Sequence, residues 1–153
     1  MVTIHDKELE DWDKKFMAKE IHLVCVASGG FTICDCAAST VGGMKQMEEV
    51  WPLTDRVNQT GETGTFYPRL PLTVVPLLKG KGRPESMDTH DFLRRSFEDV
   101  AKVNREHIKS KTFYIDLNGW SSYYPFDAAR RMAEEVLCRD SDIETIYFAR
   151  KAM

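Results

Sequence analysis

Backbone N–H groups can hold an anion without any excess of positive side chains, provided small residues let the main chain come close and a helix begins nearby. Two stretches of the chain have that composition. Thr40-Val41-Gly42-Gly43 stands just ahead of a helical pattern at Met44, and Asn118-Gly119-Trp120-Ser121-Ser122-Tyr123-Tyr124-Pro125 stands just ahead of another. Asn118-Gly119 signals a chain reversal, because both residue types tolerate positive φ. Pro125 falls where a helix would begin, the position at which its missing N–H costs nothing. Ser121 and Ser122 add hydroxyl donors, and Trp120 or Tyr123 could stack on a flat ligand. A third bend, Ser28-Gly29-Gly30, closes an apolar segment. Each of these stretches also serves as an ordinary turn, so chemistry depends on whether the fold brings them together.

Other chemistries find little support. Cys34-Asp35-Cys36, with Cys25 and His22 upstream, lacks the second pair of ligands that a closed tetrahedral metal site needs, so no metal is expected. His90 and His107 fall on a long helical pattern and read as structural. No Gly-x-Ser-x-Gly elbow, Walker loop or His-Glu-x-x-His occurs, and no cofactor is implied. With 153 residues, 42% of them apolar, the expectation is one globular domain over 1–153 with a substantial core. A net charge of −3 gives no general attraction to nucleic acid or to an acidic membrane. No apolar run approaches the ~20 residues of a membrane span, and the charged start MVTIHDKELEDWDKK lacks a signal-peptide core. A cytoplasmic protein follows, and four cysteines in such a chain suit free thiols better than a disulfide scaffold.

The elements that must position these bends alternate in type. Val2 to Ile4 is a short opening strand ending at His5-Asp6, and Leu9, Trp12 and Phe16 mark an amphipathic helix within residues 7–19. Ile21 to Ala27 is nearly all apolar, as in a strand covered on both faces. Met44, Met47, Val50 and Trp51 mark a short helix that Pro52 ends, and Thr60 to Gly64 is rich in turn residues. A strand over 65–67 follows, then one over 72–78, where Pro76 indicates an edge or a strand end. Lys79 to Glu85 is a loop, and 86–108 holds a long helix. In Thr112 to Asn118, Phe113, Ile115 and Leu117 alternate with Tyr114, Asp116 and Asn118. Phe126 to Leu137 is an amphipathic helix, and 144–150 is a last strand with Ile146 and Phe148 on one side and Tyr147 on the other. Such alternation predicts an α/β fold, a three-layer α/β/α arrangement with a central mixed sheet flanked by helices.

Taken in order, these motifs resemble the macro domain, the ADP-ribose-binding α/β family. Leu117 to Pro125 followed by Phe126-Asp127-Ala128-Ala129-Arg130 is similar to the family's ligand loop, which ends in Tyr-Pro, and to the helix after it. Thr60-Gly61-Glu62 resembles the family's Thr-Gly-Glu turn, Val41-Gly42-Gly43 its glycine loop, and His5-Asp6 the Gly-Asp that closes its first strand. The resemblance implies a diphosphate held by the amides of Gly42-Gly43 on one side and of the loop from Asn118 to Tyr123 on the other. It implies an adenine amine accepted by Asp6, and Ser28 and Gly29 lining the crevice where the family has Asn-Ala-Ala-Asn.

That asparagine motif is absent here, and Met44-Lys45 follow the glycine loop where de-ADP-ribosylating members carry an acid or a small polar residue. The family's catalytic residues therefore do not carry over, although Glu48-Glu49 resembles, at shorter spacing, the paired glutamates of the glycohydrolase branch. The expectation is a binder of ADP-ribose or a related nucleotide diphosphate, or of an ADP-ribosylated protein, without strong catalysis and with no membrane or nucleic-acid partner. The alternatives are an ADP-ribosyl hydrolase on the same fold, with Glu48 or Asp35 as base, and a protein-interaction scaffold whose pocket is lost.

Overall fold

The computed structural model describes residues 2–28, 32–33, 44–77, 88–120 and 124–149. Within them the strands are β1 (Thr3–His5), β2 (His22–Ser28), β3 (Thr32–Ile33), β4 (Gly64–Thr65), β5 (Leu72–Pro76), β6 (Thr112–Asp116) and β7 (Thr145–Phe148). The helices are α1 (Trp12–Met17), α2 (Met44–Thr60), α3 (Thr89–Val103) and α4 (Phe126–Leu137). The sheet runs β1-β7-β6-β2-β5-β4, with β3 set antiparallel against the end of β2. The pairs β1–β7, β7–β6, β6–β2 and β2–β5 are parallel and only β4 turns back on β5, so the sheet is mixed.

Strand alternation decides what each face of the sheet covers. Along β2, Val24 and Val26 enter one core while Leu23, Cys25 and Ala27 enter the other. Along β6, Phe113 and Ile115, with Leu117 just beyond, share the first core, and Tyr114 belongs to the second. The first core is closed by α3 through Phe92, Leu93, Phe97 and Val100, and by α4 through Ala129, Met132, Ala133, Val136 and Leu137. The second is closed by Leu9 and Phe16 around α1 and by Val50, Leu53 and Val57 of α2. Helices thus lie on both faces of the sheet, the three-layer α/β/α arrangement expected.

Several local expectations are corrected. Pro52 does not end its helix; α2 continues to Thr60 with Pro52 exposed inside it. Val50, Leu53 and Val57 lie on one helical stripe and are at most 4% exposed, and that burial outweighs the hydrogen bond Pro52 forfeits. The helix stops at Gly61, whose φ of 70° is the left-handed conformation of a C-terminal cap and whose N–H donates to the Val57 carbonyl at 2.8 Å. Beyond it β4 covers only Gly64 and Thr65, not 65–67. A Cβ on Gly64 would stand 2.7 Å from Leu53 Cδ1 and 2.8 Å from Val57 Cγ2, so the missing side chain is what lets α2 close onto this strand.

Pro76 is the last residue of β5, a strand end as one of its two expected places, and β5 is interior to the sheet. The long helix is α-helical to Val103 and then widens into a π-turn over Asn104–Ile108. Cys25 is disulfide-bonded rather than a free thiol, while Cys138 is free and exposed. The loop 79–85 lies outside the described residues.

A buried polar cluster ties β2, β5 and the π-turn together. His22 is fully buried, with Nε2 2.6 Å from Thr73 Oγ1 and Nδ1 3.1 Å from Asn104 Oδ1. Asn104 Oδ1 also accepts from the Ser110 N–H at 3.0 Å, and Asn104 Nδ2 donates to the Ser110 carbonyl at 3.1 Å. Burial disfavours the imidazolium and lowers the His22 pKa to about 4, so at neutral pH the ring is uncharged.

Candidate functional site at the carboxyl edge of the sheet

The parallel strands β1, β7, β6, β2 and β5 all end on one edge, and the direction of chain progression reverses there. From β2 the chain moves to β5 by way of α2, across the second core; from β6 it moves to β7 by way of α4, across the first. The adjacent ends of β2 and β6 are therefore a switch point, where the helical connections of the two strands cross to opposite faces of the sheet. Ser28 ends β2, the chain then pairs back on it as β3, and Asn118–Trp120 form the turn that leaves β6. Ser28 and Asn118–Trp120 thus stand at the ends of neighbouring strands.

Asp116 ends β6 and is 8% exposed. Its Oδ1 accepts from the Asn118 N–H at 2.9 Å and from Asn118 Nδ2 at 2.7 Å, which folds the chain into a 3-10 turn over Asn118–Trp120. The expected reversal through positive φ at Asn118-Gly119 is therefore corrected: an aspartate two residues upstream supplies the turn, and among the described glycines Gly61 is the one with positive φ. Asn118 and Gly119 are partly exposed beside the end of β2.

Trp120 is not a stacking surface for a ligand. It is fully buried, its indole N–H donates to the Pro76 carbonyl at 2.9 Å, and its ring packs on Phe92, Phe97 and Tyr124 at 6.1, 5.7 and 5.8 Å. The tryptophan instead anchors the turn to the end of β5, beneath the crevice. Tyr124 is 8% exposed in the same aromatic cluster, and burial raises its phenol pKa. Pro125 is the N-cap of α4, one residue ahead of the expected position, with φ −57° and ψ 121°. Pro125 supplies no side-chain cap to this helix. Ser28 is the last residue of β2, in register with Thr32. Gly29, Gly42, Gly43, Ser121, Ser122 and Tyr123 lie outside the described residues, as do Cys34, Asp35 and Cys36.

Asp6 follows β1 on the same edge, in a cleft of about 480 Å3 lined by Phe126, Asp127, Arg130, Glu134 and Ala149. Its carboxylate is gripped by one guanidinium: Arg130 Nε donates to Oδ1 at 2.5 Å and Nη2 to Oδ2 at 2.6 Å. Arg130 Nη1 donates to Glu134 Oε2 at 2.9 Å, and the guanidinium carbon stands 4.9 Å from the centre of the Phe148 ring. Those hydrogen bonds hold the Asp6 carboxyl below its ordinary pKa, while Asp6 in turn raises that of Arg130. Asp6 is thus an ionised acceptor, 61% exposed, whose partner is 23% exposed.

Neither Arg130 nor Asp116 stood out among the sequence motifs. Arg130 occupies a half-buried position on an amphipathic helix, and its partner is 124 residues away. Asp116 carried a signal, an aspartate two residues ahead of Asn118-Gly119, but strand alternation accounted for it first.

Three solved structures share this arrangement almost end to end. The macrodomain of Thermus aquaticus DarG superposes with a TM-score of 0.58 at 13% identity, covering 97% of this chain and 97% of its own. The chain has the macrodomain fold. The macrodomain of Mycobacterium tuberculosis DarG gives 0.56 at 7% identity, covering 97% of this chain and 99% of its own. The macro domain of ganglioside induced differentiation associated protein 2 gives 0.55 at 17% identity, covering 95% and 82%. No family model and no curated protein matches the sequence. At these identities the likeness is one of fold, and what the site does rests on its own geometry.

Proposed function

We propose that this chain binds ADP-ribose or a related nucleotide diphosphate in the crevice above β2 and β6, without strong catalysis. The observation that carries the reading is the switch point itself. It lies between adjacent parallel strands, on the edge where α/β proteins with this topology hold their ligands. The diphosphate lies between the backbone amides of Gly42-Gly43 and those of the loop from Asn118 to Tyr123, with Ser28 and Gly29 at the base of the crevice. The base lies toward β1 and β7, in the cleft walled by Phe126 and Ala149. Asp6 accepts its exocyclic amine there. Trp120 takes no part in contact and acts by holding the floor.

Titration calorimetry of the chain with ADP-ribose, AMP and NAD tests this. Saturable binding of ADP-ribose, weaker binding of AMP and loss of binding in Gly42→Glu are expected, because a carboxylate at the glycine bend would meet the phosphates. Absence of saturable binding by the folded wild-type chain would overturn the reading in favour of a protein-interaction scaffold. Tight binding undiminished in Gly42→Glu would show the phosphates to be elsewhere.

A further inference from the structure

We infer that the opposite edge of the sheet binds single-stranded nucleic acid, with Tyr67 as a stacking platform and cations from three neighbouring segments on the phosphates. Strands β5, β2 and β6 are adjacent and parallel, so the segments that lead into them meet on one edge, away from the carboxyl edge. Those segments, 66–71, 18–21 and 104–111, carry Lys19, Arg69, Arg105, Lys109 and Lys111 against Glu20 and Glu106. A chain of net charge −3 thus has a local excess of cations here. The segment before β7 is acidic instead and bounds the patch, with Glu144 standing 3.9 Å from Lys111.

Hydrogen bonds stitch the three segments into one surface. Lys19 Nζ donates to the Pro68 carbonyl at 3.2 Å, which joins the approach to β2 with that to β5. Ser110 Oγ lies 3.3 Å from the Glu20 carbonyl oxygen, which joins the approach to β2 with that to β6. Asn104 holds both the N–H and the carbonyl of Ser110 from within the buried cluster around His22, so the turn that carries Lys109 has a fixed base. On this surface Tyr67 is 38% exposed, and the His107 ring stands 6.3 Å from it at 31°. An open phenol ring among cations offers a face for a base while the flanking phosphates are neutralised.

The backbone adds an independent sign. Lys19 and Lys109 both adopt the left-handed conformation, with φ of 61° and 56°, where α1 and the π-turn run out. Glycine takes that conformation without strain and lysine does not. On adjacent segments, two lysines thus hold positions at which stability favours glycine, and what they bring in its place is charge. An acidic peptide would use the cations and leave the open ring without a role. A lipid surface would need a broader apolar patch than Tyr67 and Met17, the large hydrophobic side chains exposed among the described residues.

The test is fluorescence anisotropy of labelled, unstructured DNA and RNA strands of about twelve nucleotides, titrated with the full chain over a range of salt. Saturable binding of either strand is expected, with a log–log salt slope of about −2, as phosphate contacts from Lys19, Arg69 and Lys109 would give. Tyr67→Ala should weaken binding about tenfold and leave that slope unchanged, with Tyr67→Phe close to wild type. The double variant Lys19→Gly, Lys109→Gly should weaken binding about tenfold at low salt and bring the slope to about −0.7. Glycine suits both backbones, so its thermal melt should stay close to wild type and the lost binding is not lost folding. Excess ADP-ribose should leave the strand bound, because the two sites lie on opposite edges.

No binding of either strand at about 50 mM salt overturns the proposal. So does binding that neither variant weakens, or that ADP-ribose displaces. Phosphatidylserine vesicles and a polyglutamate peptide are the comparison ligands, and tighter binding of either one than of both strands overturns it in favour of a membrane or an acidic protein segment.

Discussion

Acid should loosen this fold through one residue, His22, and the size of the effect follows from its surroundings. The ring is fully buried and contacts only uncharged groups: Thr73 Oγ1 at 2.6 Å, Asn104 Oδ1 at 3.1 Å and the Phe113 ring, 4.6 Å away between centroids. With no carboxylate to receive a second proton's charge, the folded pKa falls from the ordinary 6.5 to about 4. Above pH 6.5 the ring is neutral in both folded and unfolded chains and contributes no pH dependence. Between pH 6.5 and pH 4 the unfolded chain takes up a proton that the folded chain refuses, so stability falls with pH across that window and levels off below it. Two to three pKa units correspond to about 3 kcal/mol. Urea denaturation at steps from pH 7.5 to pH 4 would measure it, with His22→Gln as control, since glutamine can donate and accept without titrating. The variant should start less stable at neutral pH but show a flatter profile, converging on wild type as the acid loss accrues. Carboxylates elsewhere add a background common to both chains, so the difference isolates the imidazole. Parallel loss in the two chains would refute the reasoning, because it would mean that His22 is no harder to protonate folded than unfolded.

Gly64→Ala should destabilise the chain by about 1–3 kcal/mol in urea, since the new methyl enters within 2.8 Å of Leu53 and Val57 and α2 must move away from β4. An unchanged midpoint would show that the two side chains rotate aside freely. Trp120→Phe should cost about 2–4 kcal/mol, through the smaller ring and through a Pro76 carbonyl left without its donor in the interior. Quenching of tryptophan fluorescence by ADP-ribose would be insensitive to this residue, and strong quenching that disappears in Trp120→Phe would contradict its buried placement. Asp6→Asn should change stability at neutral pH by about 1 kcal/mol or less, because the Asp6–Arg130 pair sits at an exposed strand end. A much larger loss, seen as a collapsed melt, would make Asp6 a structural residue.

The layers of this fold were legible because each depends on a local repeat. Val24 and Val26 against Leu23, Cys25 and Ala27 show a strand covered on both faces, and the alternation through Phe113, Ile115 and Leu117 gives β6 its two faces before any partner is known. The stripes of α3 and α4 follow from three- and four-residue spacing in the same way. What escaped was settled by partners distant in sequence. Pro52 is a helix breaker by local preference, yet the helix continues because Val50, Leu53 and Val57 share a buried stripe. Trp120 sits in a polar loop, and only the Pro76 carbonyl, 44 residues upstream, draws its indole inward.

The candidate site divides along the same line. Glycine and serine bends announce themselves by composition, whereas the switch point between β2 and β6 emerges only from the strand order. The ion pair beside the end of β1 is built from residues with no local signature at all. An aspartate at a strand end and an arginine on a helix face are each unremarkable alone, and the fold joins them, 124 residues apart, into a bidentate pair that no local pattern announces.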